Sequence, residues 1–211
     1  MTNFSTDLIN RDYTFKMSRY FSRGWAIFTA YSWQFILFTL IYFVIILAIG
    51  RIFPDRLSTT VTSILNPILA AGYYCVAFQI ARGRPTTFED FFGGFRKFWP
   101  VFLTALLSGL LILLGCILLI LPGIYLGVAY LFAQPLVIDK NLDFWSAMET
   151  SRQIISRQWF SFFGLVLLLF LVILAGFLLL GVGVLAAIPL TSCIVAAAYE
   201  DIVGLNSVAE L

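Results

Sequence analysis

The chain contains no histidine, and its thirteen basic and eleven acidic residues amount to only 11% of 211 positions. A soluble domain carries about 25% charged residues. Cys75, Cys116 and Cys193 lie in three different apolar runs, so neither a disulfide framework nor a thiolate metal centre is expected. They read as small apolar residues. Long stretches hold no Asp, Glu, Lys or Arg, which removes the charged group that a proton relay or ion-coupled pump places inside a membrane. Intramembrane hydrolysis needs a serine with a base, paired aspartates or a zinc site, and lipid acyl or phosphate transfer relies on histidine or a carboxylate. None of these sets can be assembled, so the chain reads as no enzyme, with no cofactor and no metal. Basic and acidic residues are too evenly balanced for a nucleic-acid partner. The start, Met-Thr-Asn-Phe-Ser-Thr-Asp, lacks a basic stretch leading into a short apolar segment, so no cleaved signal peptide is expected.

What is abundant is hydrocarbon. Apolar residues make up 61% of the chain and the mean hydropathy is +0.98, against about 45–50% apolar residues in soluble domains. A helix needs about 20 apolar residues to cross the bilayer core. Measured by that length, the uncharged runs predict an all-α polytopic membrane protein of about six transmembrane helices in a single domain, residues 1–211. The expected spans are 33–52, 61–81, 99–121, 123–138, 159–180 and 183–200, arranged as three hairpins. The turn between spans three and four is placed at Pro122-Gly123, with Gly115-Cys116 as the alternative, and that between five and six at Gly181-Val182-Gly183.

Counting Lys and Arg on alternate sides orients the bundle. Arg11, Lys16, Arg19, Arg23, Arg82, Arg84, Arg96, Lys97, Lys140, Arg152 and Arg157 fall on one side, and only Arg51 and Arg56 on the other. The crowded side is expected to be cytoplasmic. Both termini then face the cytoplasm, and the protein belongs in the cell inner membrane.

A polar, helix-patterned segment precedes each hairpin and ends at a tryptophan, Trp33, Trp99 or Trp159, which are expected as interfacial anchors. The spacings of 66 and 60 residues suggest a triplicated unit of cytoplasmic interfacial amphipathic helix plus hairpin, although independent anchors give the same pattern. The first segment, within residues 1–32, is expected to lie in the inner leaflet, with Tyr20, Phe21, Trp25 and Phe28 immersed and Lys16, Arg19 and Arg23 toward headgroups. The second opens on an expected capping box between Thr86 and Glu89. The third, about 143–158, sets Phe144, Trp145, Met148 and Ile155 against Glu149, Gln153, Ser156 and Arg157.

Five stretches carry a family resemblance: Asn66 to Tyr74, Phe88 to Phe95, Leu121 to Tyr125, Ser146 to Ser151, and Ala198 to Asp201. In this order they resemble the YciC-like group of uncharacterised bacterial membrane proteins and the related membrane domain found beside glycerophosphodiester phosphodiesterases, over about two thirds of the chain. The resemblance implies a six-helix membrane fold and no settled activity. Ten residues follow Asp201, so no catalytic domain of the phosphodiesterase-linked kind is expected there.

Two sets of residues are candidates for a site. Lys16, Arg19, Arg23, Arg96, Lys97, Arg152 and Arg157 fit contact with lipid headgroups, anionic ones above all, or with a protein partner; topology control alone accounts for them equally well. Asn66, Tyr73, Tyr125, Gln134, Thr191 and Ser192, beside proline breaks in the even-numbered spans, fit an intramembrane polar cavity or, alternatively, hydrogen-bonding glue between helices. Asp139-Lys140 and Glu200-Asp201 read as solvated span ends. The functional expectation is a non-enzymatic envelope protein that interacts with lipid or docks a partner, a second copy included. The alternatives are a small transporter or channel for an uncharged solute or lipid, and an immunity or regulatory membrane subunit.

Overall fold

A computed structural model describes residues 13–179 and 181–206. Arg11 and the outer parts of the expected terminal segments lie outside the described residues, as does Leu180. The elements are α1 (Met17–Ala30), α2 (Ser32–Ile52), α3 (Asp55–Ala81), a 3-10 helix η1 (Phe88–Lys97), α4 (Phe98–Leu118), α5 (Ile120–Ala129), α6 (Ala133–Lys140), α7 (Phe144–Ser156), α8 (Trp159–Leu178) and α9 (Val184–Ile202). Among the described residues there is no strand. Six helices are long and apolar enough to cross a membrane: α2, α3, α4 in continuation of η1, α5 with α6, α8, and α9. The protein is a multi-pass, all-α membrane protein.

The two helices of each hairpin have different surroundings. The outgoing helices α2, α4 and α8 are 17, 17 and 22% buried over their apolar windows, while the returning ones, α3, α5–α6 and α9, are 50, 44 and 61% buried. The returning helices are also the less apolar. They form an inner layer in which hydroxyls and amides find protein partners, as the hydrocarbon requires. The outer layer shows Leu47, Leu113, Ile117, Phe170 and Phe177 on its surface. In water such a continuous apolar surface would aggregate; around a membrane bundle it is the face that meets acyl chains.

The short helices tie the hairpins into a ring. Helix α1 packs most extensively on α9, η1 on α3, and α7 on α6, with further contact to α4 and α5. Each short helix therefore docks on the returning helix of the preceding hairpin, with the first closing on the last. Small residues permit the approach. A Cβ on Gly24 of α1 would lie 2.6 Å from the Ile194 Cα of α9. At the second junction, Gly94 of η1 presses on the Ile68 carbonyl and Gly72 of α3 on the Phe91 carbonyl. At the third, the Ser151 hydroxyl donates to Ala129 O at 2.7 Å and accepts from the Phe132 N–H at 3.1 Å. That serine satisfies backbone groups opened where the fourth span breaks into α5 and α6.

Several expectations are corrected. The stripe of α1 faces protein: Tyr20, Ile27 and Phe28 are buried, and only Phe21 and Trp25 among its large apolar residues are exposed. The second segment is a 3-10 helix, because Phe88, Phe91 and Gly94 recur every three residues and eclipse on one edge in that geometry. Phe91 inserts between α2 and α3, stacked on Phe38 at 4.6 Å and edge-on to Phe35 at 5.2 Å. Starting the helix at Phe88 moves its capping box one residue along, to Thr87 and Asp90, with the Thr87 N–H donating to Asp90 Oδ2 at 2.7 Å. The turn between spans three and four falls at Leu119, between the two expected sites. Gly115 and Gly123 flank it in backbone contact, a Cβ on Gly115 lying 2.9 Å from Gly123 N, so the fourth span begins at Ile120. Trp145, expected on the apolar side of α7, is 60% exposed.

Candidate functional site at the basic end of the bundle

The returning helices converge at the end of the bundle that carries the cations, and a buried ionic cluster joins them. Asp139, in the last turn of α6, is 1% exposed. Its carboxylate pairs with Arg82 at the end of α3 and with Lys140 Nζ at 3.2 Å, accepts from Tyr199 Oη of α9 at 3.0 Å, and accepts from the Asn206 N–H at 3.3 Å. Asn206 also donates through Nδ2 to Asp139 O at 2.8 Å and accepts from Lys140 Nζ at 2.5 Å. Lys97 donates to Ile138 O at 2.5 Å, capping α6 from η1 with a cation at its negative end. A carboxylate survives burial only when its lone pairs and charge are matched this fully. Asp139-Lys140 is therefore an interior node and no solvated span end.

The second acidic end behaves differently. Arg19 pairs with Asp201 at 3.1 Å, and Arg23 grips Glu200 through two bonds of 3.1 and 3.0 Å while donating to Ala81 O at 3.3 Å. These pairs latch α1 to α9 and to the end of α3. The hydrogen bond to Glu200 raises the pKa of Arg23. On α7, Arg152 and Gln153 hold Glu149, at 2.6 and 2.5 Å, and the Arg152 bond keeps the Glu149 carboxyl below the usual range. Such exposed pairs each contribute at most about 1 kcal/mol.

Of the expected headgroup contacts, Lys16, Arg96 and Arg157 are exposed, Lys97 is half-buried against α6, and Arg19, Arg23 and Arg152 are engaged as above. Trp33 and Trp99 are 72 and 67% exposed. Trp159 is half-buried, its indole N–H donating to Tyr125 O at 3.3 Å over a stacked Tyr125 ring.

The six residues proposed for a polar cavity are placed apart. Asn66 accepts from Tyr42 at 2.9 Å and Tyr73 shares a 2.9 Å bond with Thr39, both between α2 and α3. Tyr125 bonds Ser156 at 2.6 Å between α5 and α7, and Thr191 and Ser192 donate to Ile188 O within α9. Gln134 is half-buried on α6. None of the six lines the cavity described next.

That cavity, of about 150 Å³, opens between the end of α3, the segment that follows it, η1 and Ile138 of α6. Arg82, Arg84, Arg96 and Lys97 line it, with Asp90 the only acidic residue among the described residues that do so. No family model, no curated protein and no solved structure matches this chain. The Arg82–Asp139 node was missed because its partners are 57 to 60 positions apart in the chain, and Arg84 was missed although its neighbours in the cavity are close in sequence. The available signal was a doublet of arginines, Arg82 and Arg84, directly after a span.

Proposed function

We propose that this protein is a non-enzymatic multi-pass protein of the cell inner membrane that binds anionic lipid at the cytoplasmic end of its bundle. The carrying observation is the surplus of cations there. After the internal pairs are formed, Lys16, Arg84 and Arg96 have no ion-pair partner among the described residues, and each cation near an anionic surface adds about 1 kcal/mol of attraction. The bias of Lys and Arg toward the same end supports a cytoplasmic assignment for it and for both termini. The order of the five resembling stretches supports a place among the YciC-like proteins. Docking of a protein partner or of a second copy would use the same exposed cations.

The test is reconstitution of the full chain in nanodiscs of mixed neutral and anionic phospholipid, followed by native mass spectrometry of the lipids retained after release. Enrichment of anionic lipid severalfold over its bulk fraction is expected, reduced by Lys16→Gln with Arg157→Gln. Retention in proportion to bulk composition would defeat the reading.

A further inference from the structure

We infer that the cavity between α3, η1 and α6 is a site for a phosphate group, a terminal phosphate carried by a lipid or a small phosphorylated solute. The inference deepens the lipid-binding reading and names its ligand chemistry.

The charge balance comes first. Four cations and one carboxylate line a space of about 150 Å³. Asp139, beneath it, compensates Arg82. Asp90 accepts from the Thr87 N–H at 2.7 Å and from the Thr87 hydroxyl at 3.1 Å at its own helix start, takes a further hydrogen bond from Gln79, and interacts electrostatically with Arg96. The side chain of Arg84 makes no ion pair or hydrogen bond among the described residues. With Asp139 set against Arg82 and Asp90 against Arg96, two of the four positive charges remain uncompensated at the cavity. Holding like charges together without an anion is unfavourable at the edge of a low-dielectric bundle.

The donors come second. Arg82 uses one terminal nitrogen on Asp139, but its Nε–H is buried and has no hydrogen-bond partner among the described residues. A buried unpaired N–H signals a partner still to be supplied. Lys97 spends two of its N–H groups toward Ile138 O and Val137 O, at 2.5 and 3.5 Å, which leaves a third. Guanidinium forks match tetrahedral oxyanions, whose several acceptor oxygens can serve donors arriving from different walls. A carboxylate has only two oxygens to offer.

Size and position come third. At about 30 Å³ per water, the space equals about five waters, which is room for a phosphate, and its open side leaves the rest of a ligand outside. Gly93 and Gly94 form one wall, so nothing larger than backbone closes that side. The cavity sits where α4 begins its span, the depth of headgroups, and a basic pocket between membrane helices at that depth is a known form of lipid recognition.

The experiment uses the full chain in nanodiscs containing phosphatidylcholine alone, or with phosphatidic acid, or with phosphatidylglycerol adjusted to equal charge. Lipid retention is read by native mass spectrometry, and thermal stability is read with inorganic phosphate against chloride at matched ionic strength. Preferential retention of phosphatidic acid, or stabilisation by millimolar inorganic phosphate, supports the site. Preference without phosphate stabilisation assigns a lipid source; stabilisation without lipid preference assigns a soluble one. Arg84→Gln with Arg96→Gln should weaken the effect roughly tenfold and leave the melting temperature in phosphatidylcholine unchanged. Arg96→Glu, at an exposed position, is the second variant should the double change disturb folding, and it should weaken the effect at least as much. Equal retention of both anionic lipids with no phosphate stabilisation overturns the inference, as does wild-type behaviour of the variants. If the Lys16 and Arg157 variant alone reduces anionic lipid retention, the site fails while the broader reading stands. If phosphate stabilises the protein but no anionic lipid is enriched, the broader reading fails and the site stands.

Discussion

Asp139 shows how much one side chain can hold together in a bundle with few charges. Its carboxylate is the shared acceptor for groups from the ends of α3, α6 and α9 and from the segment beyond. Asp139→Asn removes the negative charge that two buried cations share. Breaking a buried ion pair costs about 3–5 kcal/mol, which corresponds to a fall of about 10 °C in melting temperature for a chain of this size, measurable in detergent by loss of helical dichroism. A variant that melts with the wild type would mean that the cluster contributes nothing net. The aspartate was visible in the sequence as a lone carboxylate at a span end. Its burial was not, because a solvated and an interior carboxylate at that position read alike until the partners at 82, 199 and 206 are brought beside it.

At the scale of elements, uncharged run length was a sufficient guide to the six spans, since only helices of that length fit the hydrocarbon. The short helices were legible as amphipathic stripes, and what covered each stripe was not: a bilayer and a neighbouring helix select the same residues on α1. Register in η1 depended on Phe91 finding the gap between Phe35 and Phe38, a tertiary event. The start of α7 was nearer to what sequence can specify. Asp143 caps it, accepting from the Ser146 N–H at 3.1 Å, and its carboxyl is held below the ordinary range by hydrogen bonds from Ser146. A depressed native pKa stabilises the fold above the unfolded value of about 3.9 and ceases to do so as pH falls through the native value. Asp143→Ala should therefore cost about 1 kcal/mol at neutral pH. Its deficit against wild type should shrink below about pH 4; thermal melts between pH 7 and pH 3 would show it, and a pH-independent deficit would assign the loss to helix propensity instead.

For the whole molecule, three short helices and three hairpins alternate along the chain, and each short helix docks on the returning helix of another hairpin. Reporter fusions at Arg84, Lys140 and Asn206 should report the cytoplasm, and fusions at Arg56 and Leu121 the opposite side. A cytoplasmic signal at Leu121 would contradict the hairpin of α4 and α5.

The docking of α1 on α9 also has a consequence in time. A chain that inserts from its N-terminus presents α1 to the membrane before any residue of α9 exists, so the Gly24 contact and the Arg23 grip on Glu200 wait for the last helix to arrive. Until then Tyr20, Ile27 and Phe28 lack the helix that helps bury them in the finished bundle. The contacts between α1 and α9 therefore join the first described helix to the last, and they can form only once Val184–Ile202 has been made.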